Sequence, residues 1–269
     1  MDIPGIPGQH TIQMAPIFWA IDSIAGTDDD NPAIEPRPGS AANAGMTLVL
    51  DVGGTHVKML AAGEQVPRKF ESGPGMEPRS MVRQVKKLTA DWKYDRIAIG
   101  YPGPVLHGRP AAEPHNLAEG WVGFDFQGAF GCPVRIINDA AMQALGSYHG
   151  GRMLFLGLGT GLGSAMIVDG KVEPLELAHL PYKKGRTYED CVGVRALKHD
   201  GVKKWRKSVA DVVKKLKAAL EVDELVVGGG NAKRLKSPPA GARIVDNRTA
   251  LVGGFRLWDP AAQPVIEDR

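Results

Sequence analysis

The chain has 269 residues, 43% hydrophobic and 23% charged, with a formal net charge of +3. The apolar share supports a sizeable core and excludes disorder along the whole length, and +3 is too small to argue for nucleic acid. Two cysteines exclude a disulfide scaffold and a Cys-rich zinc site and suit a reducing compartment. No apolar run approaches the ~20 residues of a membrane span, and no Lys or Arg precedes an early apolar stretch, so a soluble, cytoplasmic protein without a secretory signal is expected.

Residues 1–45 hold six prolines and six acids against one base, Arg37, a local charge of −5 that leaves +8 on the rest. Proline removes a backbone donor and disfavours helix before it, so this stretch is expected to be a disordered extension. The alternative is a partner-binding tail around Phe18 and Trp19, within the apolar run Ile17–Ile24.

From Met46 the pattern turns regular. Thr47–Leu50 and His56–Ala61 read as a hairpin around a glycine turn. Glu77–Trp92 sets Met81, Val82, Val85, Leu88 and Trp92 at helical spacing. Arg96–Ile99 and Val134–Ile137 read as buried strands, and Asp139–Tyr148 as a helix. Met153–Leu156 and Ser164–Val168 flank a second glycine turn. Val202, Trp205, Val209, Val212, Val213, Leu216 and Leu220 share one face of a long helix, Leu225–Val227 is a further strand, and Thr249–Trp258 a last helix. Its Gly253-Gly254 would weaken an isolated helix and so predicts close packing. Strands alternating with helices give an α/β fold.

Lys183 to Lys217 holds twelve Lys/Arg against four acids. It reads either as a solvated helix face or as a track for a polyanion.

The two glycine turns share one plan. Asp51-Val52-Gly53-Gly54-Thr55 and Gly159-Thr160-Gly161-Leu162-Gly163 each sit between two strands. Glycines let an anion approach the backbone, and successive N–H groups with a Thr hydroxyl suit phosphate. One such turn alone is more often an ordinary hairpin; two of matching plan suggest a duplicated architecture closing on a phosphate chain. Asp51 beside such a nest would repel its ligand unless a cation intervenes, so it fits a Mg²⁺ ligand acting through water or, more plainly, an Asx-turn residue. Lys58 fits a phosphate contact or a surface charge.

Asn138-Asp139 ends a strand and opens a helix. It reads as a helix cap or as the carboxylate that orients a sugar hydroxyl and accepts its proton. Glu176 and His179, three apart, could grip neighbouring hydroxyls; a metal is the competing idea, with no further ligand nearby.

Together these segments resemble the ROK family of sugar kinases and repressors, within the actin-like ATPase superfamily, over roughly Met46 to Trp258. Asp51–Thr55 looks like the family's first phosphate motif and Leu158–Gly163 like its second. Ile99–Val105 resembles the Gly-x-Pro-Gly-x-Val signature. Asn116-Leu117 with Trp121 is similar to the sugar-side segment, Asn138-Asp139 to the sugar-holding pair, and Val227–Asn231 to the adenosine motif.

The resemblance implies a two-lobed actin-like (ribonuclease H-like) fold with lobes at 46–138 and 139–247 and a closing helix and tail at 248–269. It implies Asp139 as catalytic base, and Asn116, Asn138, Asp139, Glu176, His179 and Glu189 as sugar-binding. Gly53, Gly54, Thr55, Gly159, Thr160, Gly161 and Gly163 would bind phosphate, Gly228, Gly229, Gly230 and Asn231 the nucleotide, and Asp51 Mg²⁺ through water. The family's zinc motif is missing after His179, so no zinc is expected. The acidic N-terminal stretch cannot supply the repressors' helix-turn-helix, so no nucleic acid is expected either.

The short body and the basic segment resemble the polyphosphate glucokinase branch more than the ATP-only branch. The implied activity is a glucokinase of hexokinase type, using polyphosphate or ATP, cytoplasmic, homodimeric and serving glycolysis. A non-catalytic sugar-binding regulator on the same scaffold is the alternative, and a sugar-independent ATPase of the superfamily a further one.

Overall fold

The computed structural model describes residues 45–261; the N-terminal acidic stretch up to residue 44, with Phe18 and Trp19, lies outside them. Two five-stranded sheets dominate. The first contains β1 (Thr47–Val52), β2 (His56–Ala61), β3 (Arg68–Glu71), β4 (Arg96–Tyr101) and β5 (Val134–Asn138), in the order β3-β2-β1-β4-β5. The second contains β6 (Arg152–Leu158), β7 (Leu162–Val168), β8 (Lys171–Leu175), β9 (Glu224–Gly228) and β10 (Ala242–Ile244), in the order β8-β7-β6-β9-β10. In each, an antiparallel three-strand meander is extended by two parallel strands. The chain therefore builds one topology twice.

Central strands are apolar on both faces because both faces are covered. Side chains alternate along a strand, so Leu48, Leu50 and Val52 of β1 join the core under α1 (Pro78–Leu88), while Val49 faces the other way, towards α6 (Thr249–Arg256). In the second sheet Leu154 and Leu156 pack under α5 (Val194–Leu220), and Met153 and Phe155 pack on α3 (Asp139–Ser147).

Helices α3 and α6 cross between the sheets. A Cβ on Gly146 would collide with the carbonyl of Thr249, one on Gly253 with that of Met142, and one on Gly254 with Val49. The close approach expected from Gly253-Gly254 is thus explained: only hydrogen at these positions lets α6 reach both α3 and β1.

Three expectations change. The long helix starts at Val194 and is kinked at Gly201, whose φ of 77° is non-helical. Val202, just past the kink, is 39% exposed and leaves the apolar face to Trp205, Val209, Val212, Val213 and Leu216. Strand β5 is an edge, half-buried with Arg135 exposed, not a buried strand. The last helix ends at Arg256, and Trp258 beyond it donates from Nε1 to the Ile97 carbonyl (3.1 Å) under the Arg135 guanidinium (4.1 Å). Among the described residues no helix is long and apolar enough to cross a membrane.

Candidate active site

The parallel strands bring their C-terminal ends into line. Asp51 pairs with Gly100, Gly100 with Ile137, and Tyr101 with Asn138. Asp51, Asn138 and Asp139 therefore meet at one edge of the first sheet, where α/β folds collect their chemistry.

Asn138 caps α3. Its Oδ1 accepts the N–H groups of Ala140 (3.0 Å) and Ala141 (3.1 Å), and its Nδ2 donates to the Gly103 carbonyl (3.0 Å). The capping role weighed for this residue is real, and it leaves one Nδ2 hydrogen uncommitted. Asp139 is the first residue of the helix, half-buried, with Oδ1 accepting from Ala140 N–H (2.8 Å). Burial, then the Asp51 charge, push its pKa up to about 7, Glu176 adding to the rise and the Ala140 amide opposing it. Two further carboxylates, Asp51 and Glu176, thus act on Asp139 at the junction.

The first glycine turn joins β1 to β2. Gly53 N–H donates to the His56 carbonyl (3.0 Å), and Ser72 Oγ donates to the Gly53 carbonyl (2.6 Å), bracing the turn from β3's end. A Cβ on Gly54 would lie 2.7 Å from the Asn116 Cβ, so the segment holding Asn116 packs on this turn, with Asn116 exposed. Asp51 and Lys58 are register partners in the hairpin, with Nζ 3.5 Å from Oδ2. Burial pushes the Asp51 pKa up and Lys58 opposes this. Lys58, left open above, is therefore the counter-charge to Asp51.

The second turn joins β6 to β7. A Cβ on Gly163 would lie 2.8 Å from the Cβ of Ala140, next to Asp139, so this turn adjoins the same helix start. Gly159 N–H donates to the Gly161 carbonyl (3.1 Å), and Asn231 Nδ2 donates to the Gly159 carbonyl (2.9 Å). Gly229, at φ 84°, lets Gly228–Asn231 lie on β6: a Cβ there would come within 2.6 Å of the Leu158 backbone. Glu189, on α4 (Tyr188–Val192), sits on this turn, accepting Leu162 N–H (3.2 Å) and lying 3.8 Å from Arg195. Glu176 and His179 are exposed, flanking a single 3₁₀ turn after β8.

The helical part of the basic segment begins at the second turn, where Val194 N–H, opening α5, donates to the Thr160 carbonyl (3.1 Å). Asp200 pairs with Lys204 (3.0 Å) and Arg186 (3.6 Å), and Asp211 with Lys183 (2.7 Å) and Lys215 (3.9 Å). Lys184, Lys198, Lys203, Lys207 and Lys214 are exposed and have no ion pair among the described residues.

A metal can be tested against these groups. No cluster of three or more His, Cys, Asp and Glu side chains among the described residues forms a cage. Mg²⁺ needs none, since it binds through one or two carboxylates, water and substrate phosphates, and the repulsion between Asp51 and Asp139 is what a cation would relieve.

Two sheets of one topology, each with a glycine turn beside a shared carboxylate, define the actin-like ATPase fold. Residues 47–174, just under half of the chain, match the family described as ROK. The chain is 31% identical over 173 residues to a polyphosphate glucokinase of Mycobacterium tuberculosis, a match spanning 58% of this chain and 63% of that relative's length, less than two thirds of it. Among solved structures it resembles the inorganic polyphosphate/ATP-glucomannokinase of Arthrobacter sp. strain KM, at 25% identity and TM-score 0.66, covering 78% of this chain and 97% of that one. A ROK family glucokinase from Streptomyces griseus, in complex with glucose and AMPPNP, has the same fold at 17% identity and TM-score 0.63, with 79% and 99% covered.

Proposed function

We propose that this protein is a sugar kinase, transferring the terminal phosphoryl group of polyphosphate or ATP to the 6-hydroxyl of glucose or a close hexose. One observation carries the reading: Asp139, half-buried at a strand-to-helix junction with a glycine turn on either side, has its pKa raised to about 7. A base with a pKa near the working pH is best matched to proton transfer. The lobes 46–138 and 139–247 would hold the reactants between them.

In this mechanism Asp139 orients the hydroxyl and accepts its proton as the oxygen attacks the terminal phosphorus, while the bridging P–O bond of the donor breaks and releases ADP or a polyphosphate one unit shorter. Asn116, the free hydrogen of Asn138, Glu176 and His179 bind the other hydroxyls. The N–H groups of Gly54 and Thr55 on one side, and of Thr160, Gly161 and Gly163 on the other, hold the phosphates, while Gly53 and Gly159, whose own N–H groups bond to the His56 and Gly161 carbonyls, shape the two turns and leave room for the anion. Asp51 would hold Mg²⁺ through water, and the bound ion would supply counter-charge to the phosphates. Glu189, set on the second turn, joins the sugar only through that turn's position, and Gly228–Asn231 borders an adenosine. The exposed lysines of α5, leading away from the second turn, favour a long anion as donor.

The test is glucose 6-phosphate formation from either donor, with a hexose panel, at two salt concentrations. The proposal expects turnover with polyphosphate that falls steeply as salt screens the lysines. Turnover with ATP alone, insensitive to salt, would remove the lysine track; no phosphorylation of any hexose would remove the kinase reading.

A further inference from the structure

A second concavity lies on the first lobe, between α1 and α2 (Phe126–Phe130), with a volume of about 800 Å³. Its apolar lining comes from Val82, Phe124 and Ala129, and its charge from Arg79, Arg83 and Lys86. Those three cations stand at i, i+4 and i+7 on one helix face, spread over about 10 Å at 1.5 Å per residue. All three are exposed, and none has an ion pair among the described residues; Arg83 has only a hydrogen bond to Ser80 Oγ (3.2 Å). The lone carboxylate in the lining, Asp125, caps α2 by accepting Gly128 N–H (2.8 Å).

We propose that this concavity binds an organic phosphate, an anion carrying an aromatic or aliphatic group. The charge inventory selects an anion, three cations facing a single carboxylate that is already engaged. The apolar part of the lining selects against a bare polyanion, because Phe124 and Ala129 pack on the core by their inner sides and keep outer surface that only an organic group would cover. The volume falls within the range of small-molecule sites, roughly 300–1,000 Å³, and such sites combine apolar walls with a few placed polar groups. This reading does not depend on the kinase activity, since none of these residues belongs to the cleft.

Phenyl phosphate is the probe, titrated into the full chain and followed by saturation-transfer NMR, with inorganic phosphate and phenol as parallel arms. The expected result is that phenyl phosphate binds more tightly than either fragment. The exposed double reversal Arg79→Glu/Arg83→Glu should weaken it at least about tenfold at low salt, with unchanged melting temperature. Several outcomes overturn the proposal. Equal affinity of wild type and double reversal would locate the probe elsewhere. Inorganic phosphate binding as tightly as phenyl phosphate would leave no role for the apolar surface. A dimer that the reversal abolishes, without probe binding, would make this face a contact between two copies of the chain.

Discussion

The two glycine turns occupy the same position in two sheets of the same order, yet their surroundings differ in kind. The first is embedded in charge: Asp51 with Lys58 across the hairpin at 3.5 Å, and Asp139 two strands away, just past the end of β5. The second is held mainly by bonds to its backbone: Asn231 on Gly159, the Glu189 carboxylate, itself paired with Arg195, on Leu162 N–H, and α5 starting from Thr160. A duplicated scaffold has kept its geometry and divided its chemistry. Groups that titrate or could meet a cation collect at the first sheet's edge, whereas the second turn is held as a rigid cradle with a basic helix leading from it.

The largest effect should come from the charged side. Asp139→Asn keeps the helix start and removes the base, so kcat should fall by at least ~10²–10⁴ in a coupled assay. Stability should move the opposite way. The folded-state pKa, near 7, lies above the ordinary carboxylate value of 3.8, so the folded form holds its proton more tightly than the unfolded chain. Wild type therefore loses stability as pH rises from about 4 to 7. The Asn variant should be more stable by a few kcal/mol above pH 7, the gap closing towards pH 4 in thermal melts. A constant gap across that range would mean that Asp139 is not held neutral by its surroundings.

The cradle side should show its character in stability. Gly229 has φ 84°, and a Cβ there would come 2.6 Å from the Leu158 backbone. Gly229→Ala would force Gly228–Asn231 off β6 and should cost roughly 2–4 kcal/mol, since strain and a backbone clash add. Urea unfolding measures this; an unchanged midpoint would show that the segment is free to shift.

The same contrast explains what the sequence made readable. Both hairpins, the strand-to-helix junction at Asn138-Asp139 and the crowding at Gly253-Gly254 follow from glycine spacing and apolar period. The edge strands β3 and β8 do not, because Arg-Lys-Phe-Glu and Lys-Val-Glu-Pro-Leu are too polar to signal burial and are held by backbone pairing to one neighbour. The kink at Gly201 was equally hidden, since the helical period runs on to either side of it. At the site, the residues that could carry charge chemistry were visible by type, and those that position them were not. Ser72 reaches Gly53 from nineteen residues away and Asn231 reaches Gly159 from seventy-two, distances at which no local pattern exists. Lys58 was harder to read, because a turn over Gly53–Thr55 would set Val52 opposite His56 and Asp51 opposite Val57, whereas the turn takes in His56 as well, so that Val52 pairs with Val57 and Asp51 with Lys58.

The smallest effect is also the sharpest test of the division between the turns. Ser72→Ala and Asn231→Ala each remove one side-chain hydrogen bond to a glycine carbonyl, and each should cost about 1 kcal/mol of stability. Their kinetic consequences should separate. Ser72 braces the turn beside Asp51, so its loss should raise KM for both donors alike. Asn231 braces the second turn and also belongs to the segment assigned to adenosine, so Asn231→Ala should raise KM for ATP more than for polyphosphate, which has no base to seat. Equal rises for the two donors in Asn231→Ala would reduce Gly228–Asn231 to a support for the turn and leave the donor held by phosphate contacts alone.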